Sequence, residues 1–65
     1  MENNKRNWEV ICQRNGFKYV IFVNCTEDRL RKYMETEIPE ATHYTGARDT
    51  EIEAARCLGL PIYLY

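Results

Sequence analysis

The side chains of this chain best suited to chemistry are three cysteines, Cys12, Cys25 and Cys57, one histidine, His43, and a polar group running from Tyr44 to Glu53. A catalytic cysteine would need a thiol against His43 in space, because the thiolate attacks and the imidazole takes its proton. No Cys-x-x-Cys pair exists, and His43 has no second ligand at metal-binding spacing. An odd, scattered set of thiols argues against a zinc site or a disulfide framework. It reads instead as reduced, mostly buried cysteines of a cytoplasmic protein. Gly46-Ala47-Arg48 stands ahead of a helical segment, where free backbone N–H groups and a guanidinium would suit a phosphate. It lacks the repeated glycines of a phosphate loop. Glu51 and Glu53 are accounted for as first-turn acids of that helix, one of them a capping partner.

These groups are carried by a short chain. It has 65 residues, with nine Lys+Arg, ten Asp+Glu and a net charge of −1. The charge balance argues against a nonspecific nucleic-acid binder, which needs a basic excess. The basic clusters, Lys5 with Arg6 and Arg29 with Arg31 and Lys32, read as solvated surface. No apolar run approaches the roughly 20 residues of a membrane helix, and the polar opening is no signal peptide. The expected organisation is a flexible N-terminus over residues 1–7 and one small domain over 8–65.

Two segments rich in β-branched and aromatic residues, 8–13 and 18–24, flank Asn15-Gly16. That dipeptide signals a type I′ hairpin turn, which needs positive φ at both positions. The register then pairs Cys12 with Tyr19, Val10 with Ile21 and Trp8 with Val23 on one apolar face. Thr26 is a plausible N-cap, with Glu27 and Asp28 in the first turn. Leu30, Tyr33, Met34 and Ile38 make one helical face, and Pro39 stops the helix near Glu37. Residues 40–44 read as a short strand and 45–48 as a loop. Thr50 and Glu53 have capping-box spacing. Ile52, Ala55 and Leu58 form a small-residue face, Gly59 occupies the position after the helix end, and Pro61 leads into an apolar strand from Ile62.

The predicted fold class is therefore α/β: a small sheet of three to four strands, an N-terminal β-hairpin followed by α-β-α-β, with both helices on one face if the crossovers progress in one direction. The reverse face would hold Ile11, Val20 and Phe22, with Tyr63 or Tyr65 adding to it. A domain of this size buries only about 60% of its unfolded surface. Covering a bare apolar face with a second copy would help, so a homodimer or higher oligomer is expected.

The run from Thr45 through Gly46, Glu51, Ala54 and Ala55 to Leu58-Gly59-Leu60-Pro61 and the apolar strand resembles the closing helix-strand of Rossmann-like domains in the nucleoside 2-deoxyribosyltransferase group. The resemblance covers about 20 of the 65 residues. It implies a Rossmann-like scaffold and places Glu51 where that family carries the nucleophile that attacks the sugar anomeric carbon. The opening hairpin and the glycine-free Asn24-Cys25-Thr26 depart from the family pattern.

Three functions follow as expectations. The first is an oligomeric interaction module without catalytic activity, binding another macromolecule, with no cofactor and no metal. The second is a nucleotide or nucleoside binder whose site lies at the C-terminal ends of the parallel strands, built from Asn24, Thr26, Tyr44, Gly46, Arg48 and Glu51. The third is an enzyme that cleaves or transfers an N-glycosidic bond through Glu51.

Overall fold

A computed structural model describes residues 4–65. Its elements are β1 (Arg6–Arg14), β2 (Phe17–Cys25), α1 (Glu27–Thr36), β3 (Ala41–Gly46), α2 (Asp49–Cys57) and β4 (Ile62–Leu64). The order is the expected one: a hairpin, then α-β-α-β. Asn15 and Gly16 take φ of 51° and 83°, the left-handed pair that a type I′ turn requires. The β1–β2 register follows from that turn and sets Trp8 opposite Val23, Val10 opposite Ile21 and Cys12 opposite Tyr19. Arg6 and Asn7 already pair with Cys25 and Asn24. The tail expected over residues 1–7 thus yields its last two residues to the strand. Residues 1–3 of that tail lie outside the described residues.

The four strands lie in the order β3-β1-β2-β4. β1 is antiparallel to both β2 and β3, while β4 runs parallel to β2. So β2, β3 and β4 share one direction, as alternation with helices demands, but β1 is inserted between β2 and β3. The step from β2 to β3 crosses β1 one way. The step from β3 to β4 returns across the whole sheet the other way. Two right-handed crossovers in opposite directions put their helices on opposite faces.

The arrangement with both helices on one face is corrected accordingly. Leu30 of α1 joins Trp8, Val10, Cys12, Val23 and Cys25 in one buried cluster. Ile52 and Ala55 of α2 are as deeply buried but lie outside that cluster. Glu51 of α2 instead meets Glu9, which alternation places on the reverse face.

The helix ends are set locally. Thr26 has extended backbone and its Oγ1 accepts from the Arg29 N–H at 3.4 Å. After α2, Gly59 takes φ +76°. The Gly59 and Leu60 N–H groups donate to the Arg56 and Ala55 carbonyls, at 3.0 and 2.9 Å, which is the Schellman ending. The start of α2 differs from the Thr50–Glu53 expectation. Arg48 is the N-cap, and Glu51 reaches back to accept its N–H at 3.0 Å. The neighbouring Ala47 N–H is held by the Asn7 carbonyl at 2.9 Å. That bond fixes where β3 ends, and so where α2 begins.

Candidate functional site

β2 and β3 end at the same end of the sheet, as do the starts of α1 and α2. Asn24, Thr26, Gly46, Arg48 and Glu51 are therefore gathered at that end, distributed over both faces of the sheet. Thr26 caps the helix on one face. Glu51 belongs to the other, together with Asn24, whose Nδ2 donates to Asn7 Oδ1 at 2.9 Å. Tyr44 pairs with Val10 in register, on the α1 face.

Tyr44 works in a network of its own. Its hydroxyl donates to Glu27 Oε2 at 2.8 Å and accepts from Arg31 Nε at 3.2 Å. Arg31 also pairs with Glu27 at 3.0 Å and with Asp28 at 3.6 Å. The Tyr44 ring stands edge-on to Trp8, with centroids 5.4 Å apart. Trp8 Nε1 in turn donates to the Cys25 carbonyl at 2.9 Å inside the core. This chain of contacts binds β3 and α1 to the hairpin. An open groove of about 290 Å³ lies beside it, lined by Arg31, Met34, Glu35, Ala41 and Tyr44. Of the six ligand-binding candidates only Tyr44 reaches that groove.

Glu51 acquires a neighbour that periodicity in α2 alone does not suggest. The Arg48 backbone N–H holds its carboxylate below the usual range, and a hydrogen bond from Glu9 lowers it further. Glu9 moves the opposite way. Donation to Glu51 raises it first, then burial, then the charge of Glu51. Two adjacent carboxyls act on each other in opposite directions in this way. The signal was present in the hairpin register, where Glu9 is the lone acid among strand residues of the reverse face. Its meeting with α2 depended on the helix taking that face.

The buried thiols do not face His43. Cys12 and Cys25 are buried on the α1 face, and burial pushes both thiols up. His43 pairs with Ile11 on the other face, its Nδ1 3.0 Å from Thr42 Oγ1. The sheet separates it from Cys12 and Cys25. Cys57 is exposed on α2. Among the described residues no group of three or more His, Cys, Asp or Glu could hold a metal ion, and no helix is long and apolar enough to cross a membrane.

The interface candidates divide as well. α2 occupies the reverse face, and Ile11 and Phe22 are half-buried there, while Val20 remains 42% exposed. Tyr63 and Tyr65 are not on that face. Ile62 is the residue level with Phe22, so Tyr63 and Tyr65 turn toward α1. The Tyr65 ring lies 4.1 Å from that of Tyr33, with the Arg29 guanidinium 5.6 Å from its centroid.

What the structure exposes instead is one side of the molecule. Phe17, Tyr19 and Val20 of β2 are exposed, as are Tyr63 and Leu64 of β4, Tyr65 beyond it, and Leu58 and Leu60 in the connection from α2. Phe17, Leu58 and Leu64 reach 77%, 76% and 80%. No large exposed hydrophobic lies on β1, β3 or α1 among the described residues.

Fold and surface together define a small α/β protein with a four-stranded mixed sheet between two helices. Compared with family models, curated proteins and solved structures, the chain matches none of them.

Proposed function

We propose that this chain is a non-catalytic interaction module that binds another macromolecule through the β2–β4 side of its sheet. The observation that carries the reading is that, among the described residues, every exposed large hydrophobic belongs to β2, to β4 and Tyr65 after it, or to the connection from α2. Scattered exposed apolar residues are ordinary on any protein; a set collected on one side marks a contact surface. The expectation of self-association started from a bare reverse face. With α2 on that face, the surface left for a second copy or for another protein is the same β2–β4 side. Of the residues named for a nucleotide or a sugar only Tyr44 lines the groove beside α1, so the surface reading is preferred over the ligand and N-glycosidic ones.

The test is a tagged pair of chains expressed in the source cells: the wild type and a Phe17→Ser/Leu64→Ser variant. Both positions are exposed, so the variant's stability should stay within about 0.5 kcal/mol of the wild type. Proteins that co-purify with the wild type should be lost from the variant. Equal recovery with both chains refutes the reading.

A further inference from the structure

We infer that the outer edge of β2 between Phe17 and Ile21 is a slot for an extended peptide segment of another protein, added to the sheet as a strand with a carboxylate facing Lys18. The inference rests on the interaction-module reading and specifies its partner.

The slot comes from unequal strand lengths. β2 has nine residues and β4 only three. β4 pairs with Phe22, Val23 and Asn24, leaving the part of β2 nearer the turn without a strand partner on that side. In a two-residue hairpin the flanking pair, Arg14 with Phe17, exchanges both hydrogen bonds, and bonding then alternates along the ladder. Lys18, Val20, Phe22 and Asn24 consequently turn their N–H and C=O groups away from β1. The observed outward bonds keep that parity. Gln13, opposite Lys18, donates outward to the Glu40 carbonyl at 3.0 Å, and the Asn24 carbonyl accepts outward from Tyr65 at 3.2 Å. At Lys18 and Val20 the outward groups meet no strand.

Proteins blunt exposed strand edges or use them, because an open edge templates another strand. Here the edge has a side-chain code. Phe17, Tyr19 and Ile21 line the α1 face of the slot, and the Tyr19 hydroxyl is fixed on Glu40. Lys18 and Val20 line the other face. Lys18 makes no ion pair among the described residues, whereas Arg14, across the ladder from Phe17 on the other face, is matched by Glu40 at 3.4 Å. A bound strand therefore presents apolar residues to Phe17, Tyr19 and Ile21 and an acid to Lys18.

A second copy fits poorly. Two-fold pairing about Tyr19 would put Gly16 of one chain level with Phe22 of the other, where Ile62 already sits. Pairing about Lys18 avoids that collision but sets two lysines directly opposite, which is repulsive. A lone extended segment meets neither obstacle.

The probe is the synthetic antiparallel strand acetyl-Thr-Val-Glu-Val amide, whose acetyl group ends level with Ile21 and so stops short of Ile62, titrated into the full chain with amide shifts and exchange as readout. Binding should protect the Lys18 and Val20 amides from exchange. Replacing the peptide's Glu by Lys should weaken binding about fivefold, and Lys18→Glu should reverse that preference. Saturating peptide without protection at Lys18 and Val20 overturns the inference, and so does binding that maps to Leu58 and Leu64. A dimer that protects both amides without peptide overturns it too, by naming a second copy as the occupant. Val20→Pro, which removes an outward N–H that β1 does not use, separates the two proposals. If Val20→Pro still recovers partners that the Phe17→Ser/Leu64→Ser variant loses, the interaction surface stands and strand addition falls. Should Val20→Pro fail to fold, Lys18→Glu carries the same comparison.

Discussion

Tyr19 shows how one side chain can tie the hairpin tip to the rest of the molecule. Its hydroxyl donates to Glu40, on the turn before β3, and Arg14 approaches the other oxygen of the same carboxylate. The phenol is pushed up to about 12, first by that hydrogen bond and then by burial. A folded-state pKa raised above the ordinary 10 stabilises the protonated form. The Tyr19–Glu40 contribution is therefore whole below pH 10 and disappears as pH climbs through about 12. Thermal melts of the wild type and Tyr19→Phe should differ most below pH 10 and converge toward pH 12. A gap that stays constant over that window would show that the hydroxyl does not titrate as described. The same scale explains why Cys12 and Cys25 are held as thiols: burial favours the neutral form.

At the scale of elements, what is local was legible and what is distant was not. Asn15-Gly16 dictates its turn, Thr26 its cap, and Gly59 its helix ending, because each acts within a few residues of itself. Gly59 makes the case quantitative. Its φ is +76° and a Cβ there would meet nothing within 4 Å, so an alanine suffers only from the backbone conformation. Gly59→Ala should cost about 1 kcal/mol, lowering the melting temperature by roughly 4–8 °C. Gly46 has equal room around it and no positive φ, so Gly46→Ala should leave the melt nearly unchanged. Equal effects at the two positions would refute the backbone argument. The start of α2 was misplaced because Thr50–Glu53 and Arg48–Glu51 have the same spacing. Contact with Asn7, 40 positions from Ala47, decided between them. The position of β3 beside β1 rather than β2 is set by pairing at that same range, and with it went the faces of the helices and the company Glu51 keeps.

The whole molecule has two unequal halves. On the α1 face six side chains form one buried cluster, with Tyr33, Met34 and Tyr44 packed against it. On the α2 face only Ile52 and Ala55 are buried among the described residues, and the strand residues there include Asn7, Glu9 and Asn24. α2 is also joined to β4, whose three residues pair with β2 alone. Regions with few buried apolar contacts open at lower free energy than the global transition. Native-state hydrogen exchange at low denaturant should therefore show α2 and β4 amides opening as one unit, ahead of Val10, Val23 and Leu30. Exchange of Ile52 and Ala55 at the same free energy as Val10 would mean that the two faces are equally secure. The ordering matters for the edge of β2. Each time β4 detaches, the outward groups of Phe22 and Asn24 join those of Lys18 and Val20, and the free edge lengthens toward Cys25. A strand that initially occupies five residues could then extend past Ile21 in place of β4. Longer peptides should accordingly bind more tightly while increasing exchange at Tyr63, and a peptide that bound without disturbing Tyr63 would be confined to the short slot.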